Sequence, residues 1–188
     1  MKKKIIPIVI AIVLIIIIGG VTFGSRILEK YSYSKEMADL NAYYGITGSQ
    51  EAAIVLQDEI VEEKARISGG ICYLDMATIH KYLNDRFYVD GGEGLLLYTL
   101  PEDIVRNSIG SSVKETAQGS EELGYTAAIW EGDTLYVALD YIKQYTNFSY
   151  QLFTDPYRIQ LTTEWPSYEV ASISKNTQVR VKGGVKSE

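Results

Sequence analysis

The sequence predicts an α+β protein, with an N-terminal transmembrane helix followed by one extracytoplasmic domain of two β-β-α-β-β repeats. Three features of the chain indicate this fold class. Twenty uncharged residues follow three lysines near the N-terminus, a segment recurs 63 positions later, and the 15 tyrosines are of a type that β-sheets favour. The 188 residues suffice for one domain with its own core once an anchor is set aside.

The first element is the uncharged run Ile5–Gly24, which directly follows the three lysines. At about 1.5 Å per residue, a helix of this length spans about 30 Å, the thickness of the hydrocarbon core of a bilayer. Positive charge before such a helix keeps the N-terminus in the cytoplasm. The sequence therefore predicts a cytoplasmic stub over 1–4, a transmembrane anchor over 5–24, and a single-pass cell-membrane protein whose C-terminal part lies outside.

A cleaved signal peptide is the alternative interpretation of this segment. Such a peptide has a shorter apolar core and a small-x-small cleavage site, whereas the residues that follow Ile18 contain no Ala-x-Ala sequence. The only cysteine is Cys72, so no lipoprotein cysteine follows the apolar core and no internal disulfide can form. The sequence favours the uncleaved anchor.

The charge of the outer part argues against two classes of partner. All 24 acidic residues but only 15 of the 18 basic residues follow the anchor, which leaves a net charge of −9 there. Nucleic acids and anionic wall polymers attract basic surfaces through their phosphates. We therefore expect no nucleic-acid partner.

An internal repeat organises the outer part of the chain. The segment that begins at Gly69 recurs without a gap at Gly132, 63 positions later. Identical residues at this spacing are Tyr73/Tyr136, Ile79/Ile142, Tyr82/Tyr145, Asn84/Asn147 and Thr99/Thr162. Each copy is too short to bury a core alone, so the two copies should share one.

Each copy has the same predicted elements, over residues 64–100 and 125–164. Two short alternating strands come first, then a helix of about two turns with apolar residues three and four apart, and then a hairpin. Ile79 and Ile142 lie on the apolar sides of the two helices. Asn84 and its repeat equivalent follow the helices, where a left-handed C-cap residue is expected.

Further segments complete the predicted organisation. A strand over 52–61 precedes the first copy, and the Ser-, Gly- and Glu-rich segment 101–124 is a long, partly disordered connection between the copies. A stalk over 25–50, helical at about 27–45, links the anchor to a domain over 51–174.

Four short segments of the outer part carry a resemblance to a known family: Tyr82–Tyr88, Leu97–Pro101, Ala138–Asp140 and Thr163–Trp165. They resemble the copper amine oxidase N-terminal-like domain of exported Gram-positive proteins. A similar module forms the membrane-anchored N-terminus of chitinase-like, family-eighteen glycoside hydrolases of anaerobic Firmicutes. The tail, residues 175–188, looks like the entrance to the SH3-like domain that precedes the hydrolase barrel in such proteins.

The resemblance implies a non-catalytic, membrane-anchored module that positions or binds at the cell wall, through an envelope protein or a glycan. The alternative is the N-terminal part of a glycoside hydrolase whose catalytic barrel lies beyond this chain. A scaffold that docks other membrane proteins is a third interpretation. The Asp-x-x-Asp-x-Asp-x-Glu motif of the hydrolases does not occur in the sequence, so we expect no enzymatic activity of this chain itself.

Few residues are candidates for metal, cofactor or nucleophile chemistry. His80 is the only histidine, and the second copy has Lys143 at the matching position, which indicates a solvent-facing side chain. Cys72 matches Leu135 and is therefore expected in the core. We expect no catalytic residue, no cofactor and no metal, despite the copper in the family's name.

Aromatic side chains are the remaining candidates for ligand binding. Tyrosine and tryptophan rings stack on sugars, but they also pack in sheets and cores. One sheet face that exposes three or more of these rings would favour a glycan ligand. The candidate ligand-facing residues are Tyr88, Tyr98, Tyr150, Tyr157 and Trp165.

Overall fold

The chain divides into two compact units. One comprises Met1–Ala38 together with Val170–Glu188, and the other comprises Asp39–Glu169. The computed structural model describes residues 14, 16–21, 23–27, 32, 36–165 and 172–177.

In the first unit, the described residues between 14 and 27 are helical. None of the helices that the structure describes is long and apolar enough to span a bilayer. Eleven of the twenty residues of the predicted anchor over 5–24 lie outside the described residues, as does the predicted tail after residue 177.

The described residues of the second unit form short helices and many strands. The helices are α1 (Leu40–Tyr44), α2 (Met76–Tyr82) and α3 (Leu139–Ile142). The strands are, in chain order, β1 (Glu51–Leu56), β2 (Glu59–Ser68), β3 (Ile71–Asp75), β4 (Phe87–Asp90), β5 (Leu95–Thr99), β6 (Ile104–Ser108), β7 (Val113–Thr116), β8 (Gly119–Glu122), β9 (Ala128–Glu131), β10 (Thr134–Ala138), β11 (Ser149–Thr154) and β12 (Tyr157–Thr162).

These strands form two sheets. The seven-stranded sheet has the order β11-β12-β1-β2-β3-β10-β9, in which only β1 and β12 are parallel neighbours. The five-stranded sheet is antiparallel and has the order β4-β5-β6-β7-β8. The predicted α+β class is confirmed, and each predicted element of both repeats has a counterpart among these strands and helices.

The repeats meet about a local two-fold axis in the seven-stranded sheet. Strands β3 and β10 pair so that Leu74 lies opposite Val137, which is its own counterpart 63 residues later. On either side, Tyr73 pairs with Ala138, which is the counterpart of Asp75, and Asp75 pairs with Tyr136, which is the counterpart of Tyr73. The two copies therefore associate through the same strand, in opposite directions.

Both repeats contribute to one hydrophobic core. Ile79 of α2 and Ile142 of α3 are fully buried within the same cluster. Asp75 begins α2 as its N-cap, because its carboxylate accepts a hydrogen bond from the Thr78 N–H over 2.9 Å. The predicted sharing of a core by the two copies agrees with this cluster.

The predicted single strand over 52–61 is wrong. The chain turns after Leu56 and returns as β2, so that this segment forms a hairpin. Gln57 occupies the turn with a positive φ of 55°. The turn was not predicted because Gln57-Asp58 lacks the glycine that usually marks a two-residue hairpin turn.

The predicted disordered connection over 101–124 is also wrong, because this segment forms β6, β7 and β8. On β6, Val105 and Asn107 face inward and are almost fully buried, and the residues beside them are exposed. The buried Asn107 amide donates a hydrogen bond of 2.7 Å to the Val113 carbonyl and so ties β6 to β7. The segment 101–124 was predicted as a connection because its composition is rich in polar residues and glycine.

The predicted left-handed cap at Asn84 and Asn147 is wrong as well. The C-cap residue of α2 is Leu83, with φ of −122°, and neither asparagine has a positive φ. Instead, the Asn84 amide donates a hydrogen bond of 2.8 Å to the Thr146 hydroxyl. Asn84 therefore joins the first copy to the second.

Helix α1 belongs to the domain rather than to a separate stalk. It ends at Gly45, which adopts the left-handed conformation with φ of 62°. The Tyr44 ring lies 5.6 Å from the guanidinium of Arg158 on β12. Ala53, which pairs with Arg158 across the sheet, is fully buried. The part of the predicted stalk from residue 39 onward thus lies in the domain's own compact unit.

Candidate functional site

The candidate ligand-facing aromatics do not share one exposed face. Tyr98 is only 4 % exposed, and its ring packs 4.7 Å from Phe87 and 4.4 Å from Tyr145. Tyr150 and Tyr157 are half-buried on the last hairpin. Among the five candidates, the rings that solvent reaches readily are those of Tyr88 and Trp165, each 56 % exposed.

Strand β4 explains why Tyr88 points outward. Successive side chains of a strand face opposite sides, and Phe87 fills the core with no exposed surface. Tyr88 must therefore lie on the outer side of the five-stranded sheet, opposite Leu97 of β5. Tyr88 is the one predicted candidate that the fold places on an open sheet face with strand neighbours on the same side.

A row of side chains crosses all five strands at the level of Tyr88. The register pairs Leu97 with Arg106, Arg106 with Glu115, and Glu115 with Ser120. We call Tyr88, Leu97, Arg106, Glu115 and Ser120 the outer row. Directly paired residues of neighbouring strands share a face, so these side chains lie side by side.

The outer row combines an apolar end with a charged end. Tyr88 and the half-buried Leu97 offer ring and aliphatic surface, and Arg106 and Glu115 are exposed and of opposite charge. Ile104, which is 42 % exposed, lies on the same strand two residues before Arg106. Rings that stack on a ligand, next to groups that form hydrogen bonds, are what a sugar or an extended peptide needs for recognition.

The carboxylates with shifted acidity lie elsewhere and stabilise local structure. The Lys81 ammonium, 2.6 Å away, lowers the pKa of Glu63, which also accepts a hydrogen bond from the Tyr82 hydroxyl. Hydrogen bonds from the Gly48 and Thr47 backbone lower the pKa of Glu51. A glycosidase acid would need a raised pKa instead.

The contacts of Cys72 and His80 indicate structural roles for both side chains. Burial, and next the charge of Asp140, raises the pKa of the Cys72 thiol to about 12, as expected for the predicted core cysteine. His80 is exposed, as predicted, but its Nε2 lies 2.8 Å from the Phe87 carbonyl oxygen. Because a carbonyl only accepts, Nε2 must carry the donated proton. The histidine therefore holds the start of β4.

A buried group of tyrosines links α3 to the five-stranded sheet. Tyr141 is fully buried, and its ring centre lies 6.3 Å from Phe87 and 5.5 Å from Tyr145. Burial, and next the nearby Tyr145 hydroxyl, raises the pKa of Tyr141. Among the described residues, neither tyrosine hydroxyl has a hydrogen-bond partner of good geometry. This group keeps its protons at ordinary pH and serves packing.

Among the residues that the structure describes, no cluster of histidine, cysteine and acidic side chains could hold a metal ion. Comparisons with models of protein families, with curated proteins and with solved structures found no match to this chain.

Sequence reasoning missed most of the outer row. Arg106, Glu115 and Ser120 lie in the segment that was predicted to be a connection, and Leu97 was not singled out. Exposed and buried residues alternate along Ile104–Ser108 in the structure, but the residue types Ile-Val-Arg-Asn-Ser do not alternate between apolar and polar, so periodicity in the sequence does not reveal this strand.

Proposed function

We propose that this chain is a non-catalytic, membrane-anchored extracytoplasmic module that binds a cell-wall glycan or an envelope protein through the outer row. The observation that carries the proposal is the 56 % exposed Tyr88 ring, set beside an apolar and two charged side chains on an open sheet face. Such a face suits a chain-like ligand that lies across the strands.

The chemistry of the domain supports a binding role rather than a catalytic one. Among the described residues, the carboxylates with a shifted pKa are Glu51 and Glu63, and both have a lowered pKa because of local hydrogen bonds and, for Glu63, the Lys81 ammonium. A hydrolase would need a raised carboxyl pKa beside a second carboxylate. The net charge of the outer part also disfavours anionic wall polymers, so the ligand we propose is an uncharged glycan or a protein surface.

A second candidate function is supported by the resemblance of Tyr82–Tyr88 and Leu97–Pro101 to modules that precede hydrolase barrels. In that case the chain is the N-terminal part of a glycoside hydrolase and presents wall polymer to a barrel encoded further along. The nucleotide sequence beyond Glu188 discriminates the two. An open frame with paired carboxylates favours the second candidate, and an immediate stop codon favours the first.

The binding proposal is tested by sedimentation of the protein with insoluble chitin and with purified peptidoglycan. Tyr88→Ala should weaken binding at least about fivefold, the effect of losing a contact worth about 1 kcal/mol. Trp130→Ala is the matched control, because Trp130 is similarly exposed at 49 % but lies on β9 of the other sheet. Equal retention of wild type and Tyr88→Ala on every wall fraction would contradict a role of the outer row.

The anchor is tested separately. The uncharged run over residues 5–24 behind three lysines supports it. We expect the protein in the membrane fraction, with an intact N-terminus by mass spectrometry. A soluble form that begins near Ser25 would show cleavage instead.

A further inference from the structure

The four sheet edges of the domain differ in how they are protected against pairing with another strand. An edge strand presents unpaired N–H and C=O groups, and proteins usually shield it with charges, a short length or a covering segment. Strands β4 and β8 end the five-stranded sheet, and β9 and β11 end the seven-stranded sheet.

Three of these edges carry such devices. Strand β8 is exposed and carries Glu121 and Glu122. Strand β4 is only four residues long, and the carbonyl of Phe87 already accepts a hydrogen bond from His80. Beside the start of β9, the Gly110 N–H donates a hydrogen bond of 2.8 Å to the Ala128 carbonyl.

Strand β11 carries none of them in the part of the chain that the structure describes. It is six residues long, Ser-Tyr-Gln-Leu-Phe-Thr, and contains no charge, no proline and no glycine. This is the composition that pairs readily with a further strand.

The direction of the free backbone groups of β11 follows from its neighbours. The Leu161 carbonyl accepts a hydrogen bond of 2.8 Å from the Gln57 N–H, so the backbone of Leu161 faces β1. Tyr150 lies opposite Leu161 and must therefore face away from β12. By alternation, Leu152 and Thr154 also present their N–H and C=O groups outward.

We propose that β11 is a self-association edge, at which a second copy of this chain pairs antiparallel, β11 against β11, to join the two seven-stranded sheets. With Leu152 opposite its own copy, Tyr150 lies opposite Thr154 in both directions. No like charges meet along the strands, and such an arrangement is self-complementary as a two-fold interface requires.

Charged side chains lie at both ends of β11. Near its start, the exposed Lys143 ammonium lies 5.8 Å from the Tyr150 ring, and the Asp140 carboxylate accepts a hydrogen bond of 2.8 Å from the Tyr150 hydroxyl of its own copy. The exposed Asp155 directly follows the end of the strand. Antiparallel pairing brings the start of one strand beside the end of the other, and so brings Lys143 of one copy towards Asp155 of the other twice.

Cysteine crosslinking of the full chain in mild detergent tests the proposal. The native Cys72 is buried and does not interfere. Leu152→Cys should form a disulfide-linked dimer under mild oxidation, because directly opposed residues lie within disulfide reach. Val89→Cys is the matched control, since Val89 occupies the equivalent position on the protected edge β4 and should stay monomeric.

A proline variant separates pairing from folding. The N–H of Thr154 faces outward, so Thr154→Pro removes no hydrogen bond to β12. In the Leu152→Cys background it should abolish the crosslink while the far-ultraviolet circular dichroism is unchanged. Unmodified protein should show twice the monomer mass by light scattering in detergent. A monomer at all concentrations, or equal crosslinking through Val89→Cys, would overturn the proposal.

Discussion

The two closing hairpins of the repeats have the same internal pairing but belong to different sheets. Phe87 pairs with Tyr98 and Val89 with Leu96 in the first hairpin. Their counterparts 63 residues later, Tyr150 with Leu161 and Leu152 with Ile159, pair identically in the second. Yet β4-β5 begins the five-stranded sheet, whereas β11-β12 joins the seven-stranded sheet beside β1. The register within a hairpin is therefore set by residues close together in the chain, whereas the sheet that the hairpin joins is set by contacts with distant strands.

The strand beside each hairpin accounts for the difference. After β5 the chain turns tightly into β6, which pairs with β5 antiparallel and continues into two more strands. In the part of the chain that the structure describes, no such strand follows β12, and β12 pairs in parallel with β1 from the start of the domain. The first hairpin therefore packs over the helices with its own sheet, and the second extends the central one.

The consequence is a different burial of matching side chains, and the largest predicted effect tests it. Phe87 is fully buried against three tyrosines, whereas its counterpart Tyr150 is half-buried. We expect Phe87→Ala to lower the free energy of unfolding by about 3–5 kcal/mol. Tyr150→Ala should cost less than half as much in the same chemical denaturation series. Equal losses would mean that the two hairpins are packed alike.

The shared core predicts the next largest effect. Ile79 and Ile142 are both fully buried in one cluster, so replacement of either by Ala should cost about 2–4 kcal/mol. Each variant should still unfold in a single transition, by fluorescence and by circular dichroism alike, since neither copy is stable alone. Two separate transitions in either variant would show that the copies fold independently.

Alkaline pH should destabilise the first copy through Cys72. Its folded pKa of about 12 lies above the ordinary value near 9, because burial and the charge of Asp140 disfavour the thiolate. Between these values the unfolded chain binds fewer protons, so the free energy of unfolding falls as pH rises, by up to about 1.4 kcal/mol per pH unit. The stabilising effect is fully present below pH about 9.

Urea denaturation from pH 8 to pH 10.5 measures this decline. Cys72→Ala removes the titrating thiol. The free energy of unfolding of this variant should therefore fall by roughly 2 kcal/mol less than that of the wild type over that pH range. The tyrosines with raised pKa, such as Tyr141, remain in both proteins and cancel in the comparison. Parallel curves for the two proteins would contradict the buried, neutral state of the cysteine.

The smallest effects concern the matching positions His80 and Lys143. His80 donates a hydrogen bond to the Phe87 carbonyl, and Lys143 only lies above the ring of Tyr150. We expect His80→Ala to cost about 0.5–1 kcal/mol. Lys143→Ala should cost less than about 0.5 kcal/mol, as surface changes do. A larger loss at Lys143 would show that the two helix ends contact their hairpins equally.

Much of the domain could be predicted from local patterns. Both hairpins, the two-turn helix α2 and the buried positions of Cys72, Ile79 and Ile142 follow from alternation and helical periodicity, which short-range sterics and burial impose. The helix of the second copy, α3, has only four residues and is shorter than predicted. The same patterns could not assign β6–β8, because a polar strand on an open sheet resembles a loop in composition. Nor did they show that Asn84 bonds to Thr146 rather than capping its helix.

The sequence by itself determined the α+β class, the two copies and the register within each hairpin, since these depend on residues close together in the chain. Only the tertiary structure decided which sheet each hairpin enters, which aromatic rings are buried, and that Tyr88 joins Arg106 and Glu115 in one row. Those features arise from pairings between strands that are distant in the chain. The free energy of such a pairing depends on all neighbouring strands at once, so the sequence of one segment does not predict it.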